Sequence, residues 1–339
     1  MDRDRPPPRG HARLNPASTP EVDWPRVCVF GAGAVGCFYG AKLAEAGARV
    51  TLIARPAHVD AIRMRGLVFE SAGARRNIRI DASADPESLR RADLVLFCVK
   101  TRDTEAGARV VAPLLRPGAL VVSLQNGVDN VDRMRAVADL DPLAAVVYVA
   151  TAMAGPGHLV HSGRGDLVIG ESGGAPGGAA RDPARAARVA AWFERAGVPC
   201  PVSPDVRVAL WTKLVMNCAL NAISALACAP YARMIDDAQA REVMRDVVAE
   251  CVAVARAQGV EVDSAETLFD AVIRLGQAMP AQRSSTAQDL SAGRPTEIGA
   301  LNGHVAACGE SLGIPVPVNR ALCALVRLRE LEPVGARGA

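Results

Sequence analysis

From Arg26 onward, short apolar runs alternate with stretches of helical character. Val27–Phe30 is an apolar run that meets a glycine cluster, Ala34–Ala46 has helical character and stops at Gly47, and Arg49–Ala54 is β-branched and strand-like. Further strands are expected at Leu94–Val99, after a turn at Asp85-Pro86 and a helix-compatible Glu87–Arg91, and at Ala119–Leu124 and Ala144–Val149. Apolar runs separated by helical periods predict β-α-β units, and hence a parallel, doubly wound sheet. Residues 155–180 are crowded with Gly and Pro around a strand-like Asp166–Ile169, and Ser172–Ala180 reads as a surface loop. A helix at Pro183–Ala196 and a strand at Val198–Val202 close this half. Beyond Pro204 strand signals nearly vanish, and residues 205–331 read as successive helices with Gly259, Gly293 and Gly313 near the breaks. The pattern predicts an α/β domain over residues 25–203 and an all-α domain over 204–331.

The length of 339 residues suits two domains, and 50% hydrophobic with 22% charged residues is ordinary for a globular protein. Residues 1–24 are rich in Pro and Arg, lack the apolar stretch of a secretory signal, and are expected to be a disordered extension. The net charge of +3 is small, and arginines alternate with acids, as at Arg241-Glu242 and Arg245-Asp246. Solvated helix faces explain that better than a nucleic-acid groove, and 4% aromatics leave few platforms for base stacking. The nine cysteines include no C-x-x-C pair. Cys28 and Cys98 fall in expected strands and Cys218, Cys228, Cys251 and Cys323 in expected helices, which is the usage of small buried hydrophobes in a reducing compartment. His158 and His161 read as a loop pair, and no metal is expected. Leu214 to Ala232 carries no charge, but Asn217, Asn221, Ser224 and Pro230 interrupt it. A buried helix facing a cleft accounts for it better than a membrane span. A cytoplasmic protein with neither nucleic acid nor membrane as partner is expected.

Gly31-Ala32-Gly33-Ala34-Val35-Gly36 follows a strand and opens a helix. In that context G-x-G-x-x-G is the fingerprint of a Rossmann dinucleotide site. Its first glycine makes the turn, the second admits a pyrophosphate, the third lets helix and strand pack, and the helix N-terminus attracts the phosphate. A site for NAD places an acid at the end of the second strand. Here that strand ends at Arg55, whose guanidinium suits a 2′-phosphate, so NADP is the expected cofactor. Lys100, past the Leu94–Val99 strand, also sits at a carboxyl edge. Either cation could instead be merely solvated.

Lys213, Asn217 and Asn221 recur at every fourth position in an otherwise apolar segment, which lines them along one helix face. A polar seam against another helix and a cleft wall bearing a proton donor both fit this spacing. A desolvated lysine has a lowered pKa, suited to general acid work near neutrality. A second polar patch holds Ser284-Ser285-Thr286 and Gln288-Asp289, then Arg294-Pro295-Thr296-Glu297-Ile298 and Asn302-Gly303. Pro295 is expected to start a helix with Glu297 in its first turn, where capping alone would explain the acid.

Taken together, the glycine loop (31–36), Val99-Lys100, Leu124-Gln125-Asn126-Gly127, Lys213-Leu214-Val215-Met216-Asn217-Cys218, and Pro295-Thr296-Glu297-Ile298 with Asn302-Gly303 resemble the ketopantoate reductase (2-dehydropantoate 2-reductase) family over roughly residues 26–330. The resemblance implies NADPH-dependent reduction of ketopantoate to (R)-pantoate, the step that feeds pantothenate and coenzyme A. It implies Lys213 as general acid, Asn217, Asn221 and Ser285 as substrate ligands, and Glu297 as the residue that orients substrate or cofactor. Asn126 would lie near the nicotinamide, with Arg55 and Lys100 at the 2′-phosphate. Where some members carry a further asparagine, this chain has Tyr231. A reductase of another 2-oxo acid and a non-catalytic NADPH sensor are the alternatives, and a homodimer is compatible with the chain.

Overall fold

The computed structural model describes residues 24–173, 182 and 184–332. The disordered extension expected over 1–24 lies outside them except for Trp24, which packs on the sheet's core and carries the Arg195 guanidinium 4.4 Å from its ring centroid. Most of the expected Ser172–Ala180 loop also lies outside the described residues.

The first half begins with β1 (Arg26–Phe30), α1 (Ala34–Glu45), β2 (Arg49–Ile53), α2 (Pro56–Arg65), β3 (Leu67–Ser71), β4 (Ala74–Ile78) and β5 (Asp81–Ser83). It continues through β6 (Leu94–Phe97), α3 (Thr104–Val111), β7 (Leu120–Ser123), α4 (Asn130–Val137), β8 (Leu143–Gly155), β9 (His158–Gly170) and α5 (Arg185–Arg195). One nine-stranded sheet runs in the order β4-β3-β9-β8-β7-β6-β1-β2-β5. The parallel part expected from the sequence is β2-β1-β6-β7-β8, and β5, not expected, adds to it in parallel beside β2. Its central strands are apolar along their length because helices cover both faces. Past β8 the sheet becomes mixed, with β8–β9 and β3–β4 antiparallel.

Three readings of this half need correction. The Gly- and Pro-rich stretch after residue 155 is a tight turn followed by β9, and β8 and β9 form a hairpin of 13-residue strands with register shifts at Tyr148/Val149 and Ala150/Thr151. His158 and His161 therefore lie in a strand, bonded to Glu70 and Ser71 of β3, and not in a loop. Val198–Val202 does not form a full strand; it contributes one bridge, Ile169 to Val202. Leu167 and Ile169 donate to the carbonyls of Pro199 and Pro201, but neither proline has an N–H to return. On the outer side Val198 N donates to Phe193 O, and Cys200 N donates to Glu194 Oε1 at 2.6 Å.

The second half is helical: α6 (Val206–Leu226), α7 (Tyr231–Asp236), α8 (Ala238–Ala257), α9 (Ala265–Ala278), α10 (Ser285–Ser291), α11 (Asn302–Leu312) and α12 (Pro317–Glu330). Asp205 caps α6, and the left-handed Gly313 ends α11. Among the described residues α6 alone is long and apolar enough to cross a membrane, and most of it is buried inside the protein. The uncharged stretch does not continue as one helix to Ala232. It breaks after Leu226, and Cys228, expected in a helix, is an exposed turn residue at φ 49°. Nor does Pro295 start a helix. Glu297 precedes a short 3-10 turn at Ile298–Ala300, and α11 begins only at Asn302.

Candidate active site

The loop after β1 shows why its glycines are there. Gly31 adopts φ +86°, and a Cβ on it would lie 2.7 Å from the Val99 nitrogen. A Cβ on Gly36 would lie 2.6 Å from the Val29 side chain, where α1 crosses β1. Gly33 is open instead, its nearest neighbour being the Gly31 carbonyl at 4.0 Å. Ala32 is buried, with its N–H on Ile53 O, whereas Ala34 and Val35 are half-buried in the first turn of α1. α1 has no side-chain cap, so its leading N–H groups remain available to an anion. A phosphate therefore fits the cradle. Arg55 follows β2 as the exposed N-cap of α2, and it makes no ion pair among the described residues.

Lys213 lies on the second turn of α6, and its ammonium donates to Asn126 Oδ1 at 2.8 Å and to the Val147 carbonyl at 2.5 Å. Part of the side chain reaches solvent, while its tip is enclosed by protein. Burial pushes the pKa down to about 8, with Glu297 partly holding it up and Arg164 adding to the fall. The Tyr148 ring centroid is 5.8 Å from Nζ, and the Arg164 guanidinium stacks on the same ring at 4.3 Å.

Glu297 closes the arrangement from the helical side. Its Oε1 accepts from Thr101 N and Oγ1, both at 3.3 Å, and its Oε2 accepts from Asn126 Nδ2 at 3.2 Å. Asn126 thus presents its amide nitrogen to Glu297 and its oxygen to Lys213. Capping does not explain Glu297, which makes no side-chain cap bond. Lys100 faces Glu297 at 3.5 Å and Asp289 at 3.7 Å, so its ion pairs reach to the helical half. A cavity of about 290 Å³ opens beside these groups, lined by Lys100, Thr101 and Glu297 among others.

Asn217 and Asn221 follow Lys213 along α6, and their side chains make no hydrogen bond among the described residues; Asn221 is buried and Asn217 half-buried. Ser284 is structural, capping α10 and bonding Asn221 O, while Ser285 is exposed at the first turn. Tyr231 is buried, with its N–H on Gln282 O. Asn302 and Gly303 serve packing. Asn302 Nδ2 ties the α6 carbonyl of Cys218 to Asn319, and a Cβ on Gly303 would lie 3.1 Å from Cys323 Sγ. Sequence reasoning passed over Thr101, although it adjoins Val99-Lys100, and Val147, whose contribution is a carbonyl that any residue would supply.

Two family models match the chain, Ketopantoate reductase PanE/ApbA over residues 27–174 and its C-terminal counterpart over residues 205–330. A 2-dehydropantoate 2-reductase of Halobacterium salinarum is 33% identical over 91% of this chain and 99% of its own length. The crystal structure of a PanE/ApbA family ketopantoate reductase from Ralstonia eutropha JMP134 is 50% identical, with TM-score 0.82, covering 90% of this chain and 98% of that one. A D-mandelate dehydrogenase solved with NADH and anilino(oxo)acetate shares the fold at 21% identity and TM-score 0.82, covering 90% of this chain and 98% of its own. Both halves of the chain thus fall within one group, and the protein belongs to the ketopantoate reductase family.

Proposed function

We propose that the protein uses NADPH to reduce the carbonyl of a 2-oxo acid, and that this acid is 2-dehydropantoate, reduced to (R)-pantoate. The observation that carries the reading is the Lys213 ammonium, enclosed at the meeting of α6 with β8 and oriented by Asn126 and Val147. Arg55, at the end of a strand with no acid, would hold the 2′-phosphate, and the loop from Gly31 to Gly36 the pyrophosphate. Lys100 would join Arg55 only by leaving Glu297 and Asp289. The bound cofactor supplies hydride to the carbonyl carbon. Lys213 holds its proton at Nζ and releases it to the carbonyl oxygen, and a pKa of about 8 matches donor to task near neutral pH. Glu297 keeps Asn126 and Thr101 in place, which fixes the direction in which Lys213 points. Asn217, Asn221 and Ser285 offer amides and a hydroxyl to the substrate's carboxylate and terminal hydroxyl. A cofactor sensor would have no need of this proton donor. The division at residues 203/204 then separates a cofactor domain from a substrate domain, and a cytoplasmic setting suits the chemistry.

The test is kcat/KM for ketopantoate against its deoxy analogue, 2-oxo-3,3-dimethylbutanoate. A site that bonds a hydroxyl rejects the analogue by as much as about 10⁴, and a large preference for ketopantoate is expected. One observation favours a second reading. Tyr231 stands where some family members have an amide, and Tyr148 adjoins Lys213. A phenol beside the proton donor suits an aromatic 2-oxo acid, so phenylglyoxylate belongs in the same comparison. A preference for it over ketopantoate would replace the first substrate with the second.

A further inference from the structure

A second cluster of titratable groups, centred on α11, borders the same cavity through His304 and Asp129 but is separate from Lys213 and its partners. His304 and Cys308 are one helical turn apart, and Cys308 Sγ is 3.4 Å from His304 Nε2. The other ring nitrogen, Nδ1, is 3.6 Å from Oδ2 of Asp129, the residue preceding α4. Carboxylate, imidazole and thiol therefore stand in line, the first from the sheet half and the other two from the helical half. Asp129 Oδ1 is buried without a hydrogen-bond partner among the described residues, which leaves Oδ2 as the oxygen engaged. The Trp211 ring lies 6.0 Å from the imidazole and covers it from α6.

The electrostatics agree with this geometry. Burial works against a charged imidazole, but Asp129 and Cys308 outweigh it and raise His304 to about 9. The bond from His304 lowers the Cys308 thiol against the opposing effect of burial, with Gln258 at the end of α8 assisting. Arg133 of α4 faces Asp129 as well. Cys308 is partly exposed, unlike Cys37, which also touches an imidazole but is fully buried and pushed up to about 12. Cys228 is more exposed than Cys308, yet its Sγ meets only the Ala225 carbonyl among the described residues.

We propose that Cys308 is a nucleophilic thiol, activated by the His304–Asp129 pair, and a site of modification by small disulfides. The Cys308 thiolate attacks one sulfur of R–S–S–R, a new S–S bond forms, and R–S⁻ leaves with the bonding pair and takes a proton from solvent. The Cys308 sulfur is oxidised as the leaving sulfur is reduced. His304 keeps its proton throughout.

The experiment labels the full-length protein with 4,4′-dithiodipyridine and follows each cysteine by peptide mass spectrometry. An ordinary thiol is only about 1% ionised at pH 6.5. A fuller thiolate at Cys308 gains population and gives back part of that gain in intrinsic nucleophilicity, so labelling on the order of tenfold faster than Cys228 is expected. His304→Gln should abolish the advantage while leaving the Cys228 rate unchanged, and continued protection of the buried Cys218 and Cys251 reports that the variant is folded. Between pH 6.5 and 8 the wild-type Cys308 rate should climb less steeply than that of N-acetylcysteine labelled in parallel. A Cys308 rate no faster than Cys228 at pH 6.5, one that climbs with pH as N-acetylcysteine does, or one unaffected by His304→Gln overturns the proposal.

Discussion

The two halves of the site are made of different materials. On the sheet side much of the contribution is backbone, an open Gly33, an uncapped helix start and the carbonyl of Val147, joined by side chains such as the neutral Asn126 amide. On the helical side it is side chains whose properties depend on burial, above all Lys213 and Glu297. Backbone groups are fixed by φ, ψ and close approach, so they bind without titrating. Buried side chains are tunable, and each depends on its neighbours. Changes on the two sides should therefore affect different steps of the reaction.

The largest effect is expected on the helical side. Lys213→Ala should lower kcat by about 10²–10⁴-fold, the usual worth of general acid catalysis, while cofactor affinity measured by fluorescence titration stays near wild type. Near-normal turnover in that variant would remove Lys213 from the mechanism. On the sheet side Arg55→Ala should weaken NADPH by about 1–3 kcal/mol, the scale of a lost charge-assisted contact, and change NADH little. Equal losses for both cofactors would detach Arg55 from the 2′-phosphate and dissolve the proposed division of labour. The smallest effect is a matter of pH. Lys213 must be protonated to act, so kcat/KM should be flat in neutral solution and decline as pH rises through about 8. Glu297 stabilises the ammonium, so Glu297→Gln should move that decline toward lower pH by less than roughly one unit. No shift in that decline would mean that Glu297 acts on Lys213 through position alone.

Legibility in the sequence followed the same line. The glycine loop and the parallel strands could be read because turn geometry and apolar runs leave a residue-type record. The Lys213–Asn217–Asn221 row could be read from its spacing, but a seam and a cleft looked alike until burial and partners were known. Strand β4 escaped notice because Ala74–Ile78 is almost wholly exposed and carries two arginines, so no alternation marks it, and β5 is too short to stand out beside it. Pro295 suits either a helix start or an extended turn, and what decided between them was the pull of Thr101 and Asn126 on Glu297 across 171 to 196 residues of sequence. No local pattern records such a bond.

The segment from Val198 to Val202 bears on how the molecule behaves in a crowd. An exposed strand edge is a template on which another chain can add itself, the first step toward aggregates. Here Pro199 and Pro201 bring no donors, and the Val198 and Cys200 N–H groups are already spent on Phe193 and Glu194. A foreign strand approaching from outside meets the Val198 and Cys200 carbonyls without their donors, and no continuous ladder can run along the segment. The interrupted pairing is thus a barrier to self-propagating sheet growth at the margin of β9, in the half of the molecule richest in strands.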